Sequence, residues 1–219
     1  MLDLDFEVEA AEPERHAATP LIAFKLRIAE RPAAGAVPSR IRNIALTSQI
    51  CIQPARRRYV AEEQVALEDL FGTPERWRDT LHPLQWTCVN LFVPGFTGTC
   101  VVSLIVPCSW DFSLAATRYF HGVTAGDAPL CFLFSGTVFY ETADGLQAAP
   151  IPWAKEAYFR LRADVWHGIM DAHYPNTGWV SLRRDVFERL LRFRSSQGLA
   201  TWEQAVEALL TAAEEPVLP

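Results

Sequence analysis

Residues Leu130-Cys131-Phe132-Leu133-Phe134-Ser135-Gly136-Thr137-Val138-Phe139-Tyr140 form the most apolar and most aromatic run of the chain. Aromatic and β-branched residues dominate this run, which is typical of a strand that is buried on both faces. The run is shorter than the roughly 20 apolar residues that a membrane-spanning helix needs. We therefore predict that it is a central strand of a sheet, and that the rest of the chain forms the edges of that sheet or packs on it.

Segments in which apolar and polar residues alternate flank this run. Leu2–Ala10 has an acidic outward face, whereas Lys25 and Arg27 make the outward face of Leu21–Ala29 basic, so we expect these two strands to pair. Short connections between consecutive strands favour antiparallel neighbours. The predicted strands are Leu2–Ala10, Leu21–Ala29, Ile41–Gln53, Gln85–Val93, Gly98–Val106, Asp111–Phe120, Leu130–Glu141 and Leu146–Ile151.

Two parts of the chain have a helical period instead. Residues 60–82 form a predicted helical insert, and helices are predicted after Pro152, the last of them starting at a capping box over Thr201–Gln204. The fold class that follows is α+β: an antiparallel β-sandwich with a short helical insert and a C-terminal helical segment. We assign residues 1–152 to the sandwich and residues 153–219 to a C-terminal helical subdomain packed on the sheet.

Composition excludes several classes of protein. Half of the 219 residues are hydrophobic, and the net charge of -6 argues against a general binder of nucleic acid or of anionic membranes. The acidic N-terminus does not have the pattern of a signal peptide. The five cysteines include no CxxC pair, which favours the reducing cytoplasm and free thiols over a disulfide framework.

Four residues are weak candidates for metal binding or catalysis. His167 and Asp171 are four residues apart on a predicted helix, as metal ligands often are, and Cys108 lies at a strand corner near His121 if the strands pair suitably. The sequence lacks the GxSxG, HExxH, GxGxxG and P-loop patterns. We expect no cofactor. A metal-binding or small-ligand-binding protein, or an enzyme that uses Cys108, His121 or His167, remains an alternative.

The C-terminal region offers a second alternative. Gly178–Leu210 resembles a ribbon-helix-helix module, in which a strand paired across a dimer enters the major groove of DNA. Several arginines make this segment locally basic. Arginine-rich helical hairpins are also common without any DNA-binding role, and the remainder of the chain is acidic.

Tryptophan is enriched at the energetic centres of protein interfaces. Trp153, Trp166, Trp179 and Trp202 lie in or beside the predicted helical segment. Most of them are expected to pack helices on the sheet, and any that stay exposed are candidates for binding a partner protein.

Several short phrases of the sequence occur together in one known family. They are Leu70-Phe71-Gly72 with Arg76-Trp77 and Thr80-Leu81; Val93-Pro94-Gly95-Phe96-Thr97-Gly98; Val106-Pro107-Cys108 with Asp111-Phe112; Tyr119-Phe120-His121; Phe132-Leu133-Phe134-Ser135-Gly136-Thr137-Val138-Phe139; Pro152-Trp153; and Trp166 with Met170-Asp171. The chain resembles an uncharacterised bacterial family, frequent in actinobacteria, whose genes lie among those of oxygen-tolerant, high-affinity nickel-iron hydrogenases. The resemblance implies a context of hydrogenase assembly or maturation and assigns no catalytic residue.

The sequence and the resemblance together predict a cytoplasmic, non-enzymatic accessory protein. Its expected partner is a protein, namely a hydrogenase subunit or a maturation factor, and neither a membrane nor a nucleic acid. The sequence is also compatible with a homo-oligomer.

Overall fold

The computed structural model describes residues 2–14, 16–32, 37–111, 114–143, 145–178 and 180–214, which form eight strands and six α-helices. The strands are β1 (Leu4–Pro13), β2 (Leu21–Glu30), β3 (Arg40–Ile52), β4 (Leu84–Thr97), β5 (Thr99–Pro107), β6 (Asp127–Thr142), β7 (Gly145–Pro150) and β8 (Glu156–Arg162). The helices are α1 (Ala61–Phe71), α2 (Trp77–Thr80), α3 (Ala115–Gly122), α4 (Ala163–His173), α5 (Arg184–Ser196) and α6 (Trp202–Glu214), with 3₁₀ turns at Pro54–Arg56 and Pro74–Arg76.

The strands form two antiparallel sheets. The small sheet has the order β1-β2-β5, and the large sheet has the order β4-β3-β6-β7, with β8 also paired to β6. The sheets approach each other where β1 contacts β8 and where β4 contacts β5. This arrangement confirms the predicted α+β sandwich, and the register of β1 with β2, which places Glu7 opposite Arg27, confirms their predicted pairing.

Aromatic side chains fill the space between the sheets. Phe24 of the small sheet meets Phe132 of the large sheet edge to face, with ring centroids 5.1 Å apart. Phe6 stacks on Phe134 at 4.5 Å. Trp166 of α4 stacks on Phe120 of α3 at 5.5 Å, so these helices extend the core beyond the strands.

One glycine allows the close approach of the two central strands of the large sheet. Gly136 of β6 has a φ of +135°, and a Cβ atom added there would lie 2.0 Å from the carbonyl oxygen of Ala45 on β3. Glycine is therefore required by both the backbone conformation and the close approach.

Two segments differ from the prediction. The strand predicted over Asp111–Phe120 is wrong, because α3 occupies Ala115–Gly122 and buries Ala116, Tyr119 and Phe120, which share one helix face. The helical structure predicted from residue 153 onward is wrong for β8, which pairs antiparallel with β6 and buries Ala157 and Leu161.

The chain divides into two compact units, residues 1–179 and 180–219. Both sheets and helices α1 to α4 belong to the first unit, so the division does not coincide with the predicted domain boundary near residue 152. The second unit contains α5 and α6. The predicted capping box is confirmed there: the Gln204 amide N–H donates to Thr201 Oγ1 at 3.2 Å, and the Thr201 amide N–H donates to Gln204 Oε1 at 3.3 Å.

Candidate functional site

The candidate site is the side of the large sheet that faces away from the core. Ile44, Leu46 and Ile50 of β3 are buried, so the alternate residues of this strand point to the opposite side. The strand register places residues of β4, β6 and β7 beside them. We call this surface the outer face of the large sheet; it consists of Ala45, Thr47, Gln49, Cys88, Asn90, Phe92, Leu133, Ser135, Thr137, Phe139, Ala148 and Pro150.

None of these side chains carries a charge. Phe92 is 68% exposed, Leu133 is also exposed, and Thr47 Oγ1 donates to Asn90 Oδ1 at 2.7 Å across the centre of the face. Charged residues flank the face: the ion pair of Arg42 and Glu141 lies at one end, and the exposed Glu156 of β8 lies opposite Leu133. A partner that covers such a face removes apolar and neutral polar groups from water and leaves no charge buried without a counterion.

The outer face of the small sheet is different. Arg27 pairs there with Glu7 and with Glu9, and Lys25 Nζ lies 4.0 Å from Glu12 Oε2 and donates to Ser103 Oγ at 3.2 Å. These charged side chains keep that face solvated.

Trp153 lies beside the outer face of the large sheet, in the connection between β7 and β8, and is 92% exposed. Both strands pair with β6. The connection is held to β6 at its two ends: the Ile151 N–H donates to the Gly136 carbonyl oxygen at 2.9 Å, and the Phe134 N–H donates to the Lys155 carbonyl oxygen at 2.9 Å. This predicted interface residue therefore lies in a connection that is anchored at both ends, and its side chain is exposed.

The other predicted tryptophans have different environments. Trp166 is 1% exposed and belongs to the core, so its side chain offers no contact area in the folded chain. Trp202 is half-buried, and the Arg194 guanidinium lies 4.0 Å from its ring centroid. Trp179 lies outside the described residues.

The four metal candidates do not form one cluster. Burial raises the pKa of the Cys108 thiol to about 12, and its Sγ donates to the Val106 carbonyl oxygen. Desolvation and repulsion from His167 lower the pKa of His121, and His167 Nε2 is 2.9 Å from the Val123 carbonyl oxygen. Asp171 is exposed. In the part of the chain that the structure describes, no three His, Cys, Asp or Glu side chains are placed to hold a metal ion.

The arginines of the C-terminal unit are partly engaged within it. Arg183 pairs with Asp185, and Arg184 pairs with Glu188. Gly178 and the residues from Val180 to Arg183 are not in a strand. Among the described helices, none is long and apolar enough to cross a membrane.

The outer face of the large sheet cannot be identified from the sequence alone. The sequence does contain a sign of this face. The outward positions Ala45, Thr47 and Gln49 of the strand predicted over residues 41–53 carry no charge. Recognising the face required the register, which alone shows that neutral residues from β4 and β6 lie beside those of β3.

No curated protein matches the sequence. The match to a protein family covers residues 1–217, nearly the whole chain, and this family is described as a family of unknown function, DUF6084. This chain therefore belongs to the DUF6084 family.

Proposed function

We propose that this protein is a non-enzymatic accessory protein that binds a protein partner through the outer face of the large sheet. The observation that supports this proposal is the uncharged composition of that face, with Phe92 and Leu133 exposed on it. Charged residues are depleted at the centres of protein interfaces, and aromatic residues are enriched there. The centre of the proposed interface is therefore the uncharged outer face of the large sheet.

The size of the face indicates how far the contact extends. With strands about 4.8 Å apart and about 3.3 Å per residue, four strands over about seven residues cover about 400 Å². Each partner in an interface of standard size contributes about 800 Å². The contact must then reach past the sheet, and Trp153 is an exposed aromatic side chain next to it.

The identity of the partner is proposed from the family resemblance described above. We propose a subunit or a maturation factor of a nickel-iron hydrogenase, with the chain acting during assembly of that enzyme in the cytoplasm. All five cysteines are free thiols, which is the state that a reducing compartment maintains.

The test is an affinity purification from cells that express the hydrogenase, comparing two matched variants. Phe92→Arg places a charge on the outer face of the large sheet, whereas Val101→Arg places the same charge at a 53% exposed position on the outer face of the small sheet. We expect the unaltered chain and the Val101→Arg variant to recover a hydrogenase subunit or maturation factor, and the Phe92→Arg variant to recover at least tenfold less, because a buried unpaired charge opposes binding.

Three results would contradict the proposal. The first is equal recovery by the two variants. The second is recovery of only a second copy of this chain, which would make the face a homodimer interface. The third is normal hydrogenase activity in cells from which the gene has been deleted.

A further inference from the structure

Three consecutive arginines, Arg56, Arg57 and Arg58, lie between β3 and α1. The middle arginine is nearly buried, while the two flanking arginines are exposed. The segment therefore sends one guanidinium group into the protein and two toward solvent.

Arg57 makes a buried ion pair that fixes this segment. Its Nη2 donates to Glu63 Oε1 at 2.8 Å and to Oε2 at 2.6 Å, and its Nη1 donates to the Asp127 carbonyl oxygen at 3.0 Å. The same carboxylate accepts the N–H groups of Val60 at 3.3 Å and Thr124 at 3.2 Å. One buried carboxylate thus joins the arginine segment, the start of α1 and the loop before β6.

These elements border a shallow, open cleft of about 550 Å³, lined by Arg56, Arg58, Gly126, Asp127 and Arg160 together with Ala55 and Arg57. Its volume is within the range of small-ligand sites, about 300–1,000 Å³. The wall formed by β8 is also fixed, because Arg160 Nη1 donates to Asp127 Oδ1 at 2.7 Å and its Nη2 donates to the Arg56 carbonyl oxygen at 3.3 Å.

The charges in the cleft do not cancel. The charges of Arg57 and Glu63 neutralise each other, and Asp127 offsets Arg160. The guanidinium of Arg56 lies 4.1 Å from the ring centroid of Tyr158, and neither Arg56 nor Arg58 is in an ion pair within the described residues. Two positive charges are therefore left uncompensated by any ion pair among the described residues, in a protein whose net charge is -6.

We infer that this cleft is a binding site for a dianionic oxyanion of the phosphate-monoester type. Two uncompensated charges match a dianion, and guanidinium groups donate paired N–H bonds to phosphate oxygens. Arginines near one another repel when no anion lies between them, so a bound dianion also relieves that repulsion. This inference is independent of the outer face of the large sheet.

Arg58 is the residue to change, because none of its side-chain atoms makes a hydrogen bond or an ion pair in the described structure. The test measures binding by calorimetry at constant ionic strength, with inorganic phosphate, a phosphoserine peptide and succinate as separate probes. Arg58→Ala is compared with Arg78→Ala, which removes an exposed arginine from α2. Constant ionic strength matters because salt screens such contacts.

We expect saturable one-to-one binding of phosphate, weakened at least about tenfold in Arg58→Ala and unchanged in Arg78→Ala. Tighter binding of the peptide would indicate that the natural ligand is a phosphorylated protein. Tighter binding of inorganic phosphate would indicate that it is a free metabolite. Either result supports the inference. Binding that never saturates, equal affinity of the two variants or equal binding of succinate would overturn it. Phe92→Arg should bind phosphate normally, which separates this test from that of the proposed function.

Discussion

The outer faces of the two sheets differ in charge, although both sheets contribute to the same core. On the small sheet, Arg27 lies between Glu7 and Glu9. On the large sheet, the neutral side chains of Thr47, Asn90 and Ser135 lie at the corresponding outward positions. Burial of the inward residues is similar in the two sheets, so the core does not require this difference. The difference supports the proposal that the outer face of the large sheet binds a partner, whereas the charged outer face of the small sheet is suited to water.

The largest expected effect comes from removing the close approach of β3 and β6. Gly136→Ala forces a Cβ atom against the Ala45 carbonyl oxygen and into an unfavourable φ. We expect a loss of about 3 kcal/mol or more of unfolding free energy, together with loss of partner binding, because the outer face of the large sheet depends on that register.

Denaturant unfolding measures the effect of Gly136→Ala. The matched control is Gly98→Ala, since Gly98 also has a positive φ but a Cβ atom there would meet nothing within 4 Å. This control should lose about 1 kcal/mol and keep partner binding. Equal losses in the two variants would show that the approach of β3 to β6 contributes nothing beyond backbone conformation.

The next effect concerns Trp153. Trp153→Ala removes a 92% exposed side chain, so the unfolding free energy should change by less than about 0.5 kcal/mol. Affinity for the partner should fall about 30-fold if Trp153 is an energetic centre of the interface. Titration of the purified partner measures this change, and unchanged affinity would exclude Trp153 from the contact.

A smaller effect is expected on the small sheet. Arg27→Ala removes the cation that pairs with Glu7 and Glu9, which lie side by side on the exposed face of β1. We expect Tm to fall by no more than about 2 °C, with a smaller fall in high salt, because exposed ion pairs are weak and screened. Partner binding should stay unchanged. Loss of binding in this variant would indicate that the interface lies on the small sheet and would contradict the proposal.

The smallest effects concern two thiols. Cys88 is exposed on the outer face of the large sheet, whereas Cys108 is buried directly after β5 of the small sheet. We expect iodoacetamide to modify Cys88 and not Cys108 in the folded chain, with bound partner protecting Cys88. Mass spectrometry of the alkylated peptides measures both rates, and an unprotected Cys88 would contradict a contact over β4.

The pKa of Cys108 also predicts a pH dependence. Burial raises this pKa to about 12, whereas a free thiol titrates near about 8.5, so the unfolded chain loses the proton first. The contribution to stability is complete below about pH 8.5 and declines as the pH rises toward 12. Cys108→Ala should lack this part of the alkaline decline in unfolding free energy, and an identical decline in both chains would contradict it.

Period-two alternation was sufficient to predict most of the sandwich. In the strand predicted over Ile41–Gln53, the alternate residues Ile44, Leu46, Ser48 and Ile50 are all buried. The change of period at Val60 likewise predicted the insert that contains α1. These features depend on residues that are close together in the sequence, so the sequence pattern alone is enough to predict them.

The features that the sequence did not predict depend on distant parts of the chain. In α3, the aromatic residues fit both a period of two and a helical face, and packing on α1 and α4 selects the helix. Strand β8 forms because β6 offers it a free edge next to β7. The outer face of the large sheet and the arginine cleft likewise combine residues that only strand register and tertiary contacts bring together.

The carboxylate of Glu63 has a consequence for local unfolding. It accepts hydrogen bonds from the N–H groups of Val60 and Thr124, which belong to segments far apart in the chain. An opening that releases one of these amides also weakens the other, so both should exchange hydrogen for deuterium at a common rate. The first turn of α1 and the loop before β6 then form one cooperative unit, and local unfolding of either segment disrupts the whole cleft.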